Sequence, residues 1–283
     1  MECREGTGER RASRRGCNAR RRHEGEDLMK KTIVLDHGYV EPIEHWGSDE
    51  AIVEAARMST GKGFLGWGPT CEECGFTKGD DHEVGCSQPE KWKAGDEKLL
   101  RYLWENKHST PFEMAGLTIE VQAPIMVFRE WHRHRVPFGY SEASARYGAL
   151  PNVNYMPTTD RCLISSTINK QAGSMKGADV LTLESALEWL AELADVYEHA
   201  ERVYQSGLTR GVPKELARLP MPVGRYSKMR ATGNLRGWLT GFLALRKAST
   251  AQWEIRAYAD VVGDILGERF PRSWSLFMEG FRG

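Results

Sequence analysis

The chain of 283 residues is long enough for one large domain or two small ones, and a composition of 40% hydrophobic and 28% charged residues with a mean hydropathy of −0.53 excludes both a disordered polymer and a membrane-embedded chain. Lys plus Arg and Asp plus Glu each number 39, so no global basic field points to a polyanion partner and any anion site must be local. No run of about eighteen apolar residues exists, the Arg-rich start lacks the apolar centre of a secretory signal, and the cysteines are too few for a disulfide scaffold; the expectation is a cytoplasmic protein.

Residues 1–28 are rich in Arg, Glu and Gly without a hydrophobic period, and read as a disordered basic arm or an upstream extension. Met29-Lys30-Lys31 before the strand-like Thr32-Ile33-Val34-Leu35 has the look of a natural start, so the expected domain spans 29–283. Ser48-Asp49-Glu50 offers a cap and early acidic residues for a helix that ends near Ser59. From Thr60 to Gly95 no period is sustained, which predicts an inserted module, and Leu99, Leu100, Leu103 and Trp104 then predict a helix over 96–106. Gly116 to Ala123 alternates as a half-buried strand, with Pro124 opening a further helix. The longest amphipathic pattern runs from Leu183 to Leu208 and calls for burial in a core or at an oligomer interface. A short helix from Pro213 stopped by Pro220 and Pro222, a strand over 223–231 and helices over 234–246 and 251–266 complete the series, with no internal repeat.

Two constellations carry chemistry. Within the insertion, Cys71-x-x-Cys74 is followed by His82 and Cys86, two pairs of close N or S donors across a loop, which suits a closed tetrahedral Zn²⁺ site stabilising a segment without its own core. The second runs from Glu130-Trp131-His132-Arg133-His134-Arg135 to Ser141-Glu142-Ala143-Ser144-Ala145-Arg146-Tyr147. Three cation-capable side chains in a row cannot share one helix face, so some must lie at a helix end or loop, where Arg forks grip phosphates.

That second string resembles the signature of the flavin-dependent thymidylate synthases, in which Arg-His-Arg precedes a serine and an Arg-Tyr pair. The likeness extends from Met29 to about Phe277 through Ala55-Ala56-Arg57-Met58-Ser59, His108-Ser109-Thr110-Pro111-Phe112-Glu113, Asn152 to Pro157, Leu216-Ala217-Arg218, Asn234-Leu235-Arg236, Leu245-Arg246 and Ala251 to Ile255. The resemblance implies an α/β (α+β) fold with a mixed sheet and long helices, assembled as a homotetramer with active sites at subunit interfaces. It implies conversion of dUMP to dTMP with 5,10-methylenetetrahydrofolate as carbon donor, NADPH as reductant and FAD as cofactor. Carried onto matching positions, Ser59, Thr110, Glu113, Arg133, His134, Arg135, Glu142, Asn234 and Arg236 are the implied FAD contacts. Glu130, Arg133, Ser144, Arg146, Arg218 and Arg246 are the implied dUMP contacts, with Arg246 catalytic beside the pyrimidine. These residue types suit the task, since without a Gly-rich phosphate loop two phosphate-bearing ligands must be held by arginines, and a cation at the uracil edge stabilises charge that develops there.

The chain also departs from the pattern. One extra residue between Arg135 and Ser144 leaves Ser141 as an alternative to Ser144, Glu130 stands where Gln is common, and the run Thr240-Gly241-Phe242 is one residue longer than expected before Arg246, which leaves open a flavin contact around Gly241. Met114 and Thr250 replace frequent histidines. No cysteine falls in a matching block, and Cys162 beside Leu163 and Ile164 reads as a small hydrophobe, so no sulfur nucleophile is expected. Trp189, Trp238, Trp253 and Trp274 read as core or interface residues, and His37, His45 and His199 as surface or satisfied core histidines. The rival reading is a zinc-stabilised nucleic-acid-binding protein, against which the zero net charge counts.

Overall fold

The computed structural model describes residues 30–71, 92–93, 95–166, 171–175, 178 and 180–281. The expected basic arm over 1–28 and three of the four expected zinc ligands, Cys74, His82 and Cys86, lie outside the described residues.

Five strands form the central sheet: β1 (Thr32–Val34), β2 (Gly38–Trp46), β5 (Gly116–Pro124), β6 (Gly139–Glu142) and β7 (Tyr226–Asn234), in the order β1-β2-β5-β7-β6. A two-residue ladder, β3 (Thr70–Cys71) with β4 (Trp92–Lys93), closes the neck of the insertion. Every pairing in the central sheet is antiparallel, which corrects the expected mixed sheet. The connection that could have made a parallel pair, from β5 through a helix to β6, skips one place, and β7 enters that place antiparallel to both.

The alternation read in Gly116 to Ala123 is realised in β5: Leu117, Ile119 and Val121 are buried while Thr118, Glu120 and Gln122 are only partly so. On the latter face Thr118 and Thr232 share a hydroxyl hydrogen bond of 2.8 Å, and Arg230 donates to Glu120 at 3.1 Å. On the buried face the sheet meets α3 (Ile125–Trp131) and α8 (Trp253–Arg269), so that Trp131, Trp238, Phe242, Tyr258, Val262 and Leu266 join one core.

Helix α1 (Asp49–Arg57) begins as its sequence dictates, with the Ser48 hydroxyl accepting from Ala51 N at 3.2 Å. Asp49 also accepts from Arg272 N, Ser273 N and Ser273 Oγ at 2.8, 3.1 and 2.6 Å, which ties α1 to the first turn of α9 (Pro271–Gly280). Asp96, fully buried at the start of α2 (Asp96–Glu105), pairs with Arg57 and accepts from Leu65 N at 2.6 Å, anchoring the first residues of the insertion.

Several boundaries differ from expectation. Pro124 ends β5 and caps α3 instead of occupying its first turn. The strand expected over 223–231 runs from Tyr226 to Asn234, because its pairing with β5 continues to Gly116. The helix expected from Asn234 therefore starts one residue later, at Leu235, and runs as a π-helix (Gly237–Leu243) followed by one α turn, α7 (Ala244–Arg246). The strand β2, a short helix α4 (Thr159–Leu163) and α9 were not anticipated. The longest helix, α5 (Leu183–Thr209), buries only Ala186, Ala200 and Tyr204 and leaves Leu187, Trp189, Val196 and Val203 exposed. Among the described residues no helix is long and apolar enough to cross a membrane.

Candidate active site

The Arg-His-Arg string falls where one helix face cannot hold three cations, at the end of α3. His134 N donates to Trp131 O at 3.0 Å, closing a turn that sends His134 inward, 8% exposed, and leaves Arg133 and Arg135 exposed. Neither arginine pairs with a carboxylate among the described residues, so both forks are available to an anion. Phe242 and Phe138 meet the His134 ring edge-on at centroid distances of 5.2 and 6.4 Å, and Tyr140 Oη donates to His134 O at 2.6 Å.

Arg246 comes back to this turn from across the sequence. Its Nε donates to His134 Nε2 at 2.8 Å, one terminal nitrogen to Glu130 Oε2 at 2.6 Å and the other to the Glu130 carbonyl at 3.0 Å. The carbonyl lies in the last turn of α3, where it also accepts from Arg133 N at 3.4 Å and where the helix end favours a cation. Guanidinium cannot accept, so His134 must present a lone pair at Nε2 and is neutral, with its proton on Nδ1. Burial, reinforced by the Arg246 charge, pushes the His134 imidazole down to about 4. The Glu130 carboxylate, implied as a dUMP contact, pairs with Arg246 through one of its oxygens. Three of the five guanidinium N–H groups are used, leaving two for a ligand.

A second group gathers where the 3₁₀ turn Thr110–Glu113 faces the end of β7. Glu113 pairs with Arg236, the Asn234 side-chain oxygen accepts from Gly237 N at 2.9 Å, and the Thr240 hydroxyl donates to Arg236 O at 2.8 Å. A cavity of about 370 Å³ beside them is lined by Trp104, His108, Ser109, Phe112, Arg236 and Thr240, and a neighbouring hollow by Thr110. Aromatic walls with hydroxyl and guanidinium donors fit a flat ring carrying phosphates. Ser59 is exposed in the turn after α1, and Glu142 ends β6 with a carboxylate oxygen 3.9 Å from His132.

Ser144, Arg146 and Arg218 form a third group. Ser144 lines a cavity of about 410 Å³ with Tyr226, Ser227 and Lys228. Arg146 lies 3.8 Å from the Glu215 carboxylate, while Arg218, next to helix α6 (Lys214–Ala217), donates to the Glu215 carbonyl at 3.4 Å. The alternative serine, Ser141, faces Arg230 in the β6–β7 ladder and does not line that cavity. No hydrogen bond or ion pair joins this group to Glu130, His134 or Arg246 among the described residues.

Cys162 is half-buried on α4, and burial raises its thiol, so it lacks the low pKa of an activated nucleophile. Of the expected zinc ligands, Cys71 is described and buried in β3, and no metal-binding group of His, Cys, Asp and Glu is found among the described residues. Tyr140, Phe138 and His108 are the neighbours that sequence reasoning passed over. Of these only His108 stood in a motif, beside Thr110.

Residues 41–272 match the profile of the family described as thymidylate synthase complementing protein. The flavin-dependent thymidylate synthase of Wolbachia pipientis wMel is 35% identical over 253 residues, which cover 89% of this chain and 78% of the relative. One from Thermus thermophilus is 36% identical over 249 residues, with 87% and 77% covered, and that of Thermosipho africanus is 33% identical, with 87% and 93% covered. A UMP/dUMP methylase, PolB from Streptomyces cacaoi, bound with 5-Br dUMP, superposes with a TM-score of 0.66 at 29% identity, covering 89% of this chain and 99% of that one.

Proposed function

This chain belongs to the flavin-dependent thymidylate synthase family, and we propose that it converts dUMP to dTMP, taking a methylene group from 5,10-methylenetetrahydrofolate and two electrons from NADPH, with FAD as cofactor. The observation that carries the reading is the guanidinium of Arg246, fixed by Glu130 and His134 with two N–H groups to spare. Ring carbon five of dUMP must act as a nucleophile toward the one-carbon unit, and a fixed cation at the pyrimidine edge stabilises the negative charge that builds up. Arg133 and Arg135, exposed and without carboxylate partners among the described residues, suit phosphate oxygens, and Arg146, Arg218 and Ser144 suit the nucleotide. Bound FAD would carry reducing electrons to the methylene carbon. Ser59, Thr110, Glu113, Glu142, Asn234 and Arg236 would hold it, the hollows beside the 3₁₀ turn giving it aromatic walls.

The reading includes a cytoplasmic homotetramer whose sites draw on more than one subunit. Two observations support it: among the described residues no hydrogen bond or ion pair joins the Ser144 group to the Arg246 group, and α5 carries an apolar face exposed in one chain. It also includes one structural Zn²⁺ held by Cys71, Cys74, His82 and Cys86, supported by ligand type and spacing. The nucleic-acid-binding reading is set aside by the family membership.

The test is direct. Purified protein should show a flavin spectrum, oxidise NADPH only when dUMP is present, and form dTMP from methylenetetrahydrofolate; a colourless protein without dTMP formation refutes the proposal. Elemental analysis should find one zinc per chain, lost in Cys71→Ser.

A further inference from the structure

We infer that His134 is a positioning residue for Arg246, a neutral acceptor that sets the plane of the guanidinium and so aims its spare N–H groups. The inference rests on the function proposed above, yet differs from the flavin contact that the resemblance implies for His134.

Arg246 closes a single α turn after a π segment, so little in its own backbone restrains four rotatable side-chain bonds. Glu130 holds it through the two terminal nitrogens only, by one carboxylate oxygen and one carbonyl. Those two contacts leave the group free to pivot about the line between them. The bond from Nε to His134 Nε2 at 2.8 Å supplies the third point, and a planar group tied at three nitrogens has one orientation left.

Histidine suits this position for a reason of charge. A second carboxylate would outweigh the cation, since Glu130 is already paired with it, and Lys or Arg could not accept at all. A neutral imidazole accepts the hydrogen bond without adding a second negative charge, and leaves two N–H groups of the guanidinium to the substrate. The ring packs edge-on against Phe242 at 5.2 Å, and the Tyr140 hydroxyl holds the His134 backbone carbonyl. Arrangements that must hold a reacting group to within about 1 Å depend on such supports.

The experiment is a double-mutant cycle on the flavin-loaded enzyme: His134→Ala, Arg246→Ala and the pair, with His134→Gln as the conservative variant whose carbonyl oxygen reaches the place of Nε2. The expected result is a loss of turnover of about 10- to 100-fold in His134→Ala. In an Arg246→Ala background the same change costs less than about twofold, because a positioning residue has nothing left to position. His134→Gln recovers most of the loss, and flavin content is unchanged throughout. Losses that multiply, activity that falls in step with bound flavin, or a Gln variant no better than Ala would each overturn the inference. Long-range ¹H–¹⁵N spectra of histidine-labelled protein, with His134 assigned by difference from His134→Gln, report independently of turnover. The expected signal is an Nδ1–H tautomer at pH 7 that is lost in Arg246→Ala, and an Nε2-protonated ring in the unmutated enzyme overturns the inference whether or not dTMP is formed.

Discussion

The Arg246 turn and the Ser144–Arg218 edge both offer arginines to an anion, yet they are built in opposite ways. Arg246 is held by fixed neighbours: the Trp131 and Phe242 rings pack at 4.5 Å, Phe242 meets the ring of the buried His134, and the Arg246 side chain is 14% exposed. At the edge, Arg146 and Arg218 are exposed and share one glutamate, the former at 3.8 Å. Such an exposed pair adds about 0–1 kcal/mol and fixes little. A group that must face developing charge gains from being set in advance, whereas groups that only grip a phosphate can close on it when it arrives.

The comparison breaks first if Arg246 can be spared. Arg246→Ala should lower turnover by about a hundredfold or more, and Arg246→Lys should restore only part of it, since an ammonium lacks the planar fork. Steady-state dTMP formation in both variants decides this, and near-normal rates would reduce the buried turn to scaffolding.

Acid should then separate the two regions. The His134 imidazole titrates near 6.5 when unfolded and at about 4 when folded, so between those values the unfolded chain binds the extra proton. Its contribution is complete above about pH 6.5 and is lost as pH falls through 4, by about 3 kcal/mol in all. Urea midpoints at pH 7 and pH 4.5 should drop further for the unmutated protein than for His134→Gln. Equal drops would remove His134 from the acid response.

On the edge, Arg218→Ala should raise the KM for dUMP about tenfold while changing stability by less than about 0.5 kcal/mol, as exposed substitutions do. A thermal midpoint shift of many degrees would show that the edge is rigid after all. The smallest effect belongs to Cys162→Ala, expected to leave dTMP formation within about twofold because burial raises the thiol and leaves it unactivated.

What could be read in the sequence was whatever repeats or caps locally. Strand β5 showed itself by alternation, α1 by Ser48 and its acidic first turn, and the helix end at Arg133-His134-Arg135 by the impossibility of three cations on one face. Strand β2 did not, because Pro42 interrupts it and its register with β5 shifts between Pro42 and Glu44. The hydrogen bond from Arg246 to His134 spans 112 positions, and no local pattern announces a contact of that range. Family resemblance named both residues but gave them separate ligands, and it implied a mixed sheet where all pairs are antiparallel.

The π-helix from Gly237 to Leu243 bears on how such chains can change length. An added residue in a regular α-helix turns everything after it by about 100°, which here would swing Arg246 away from Glu130. Closing i→i+5 loops takes up one residue without that rotation. The extra position that the resemblance implies near Gly241, where an added Cβ would meet only open space, would be stored in such a widened turn, with the phase of the helix reset before Arg246. A gap in an alignment at this point is then a local bulge in the molecule, and the residues on either side of it keep their neighbours.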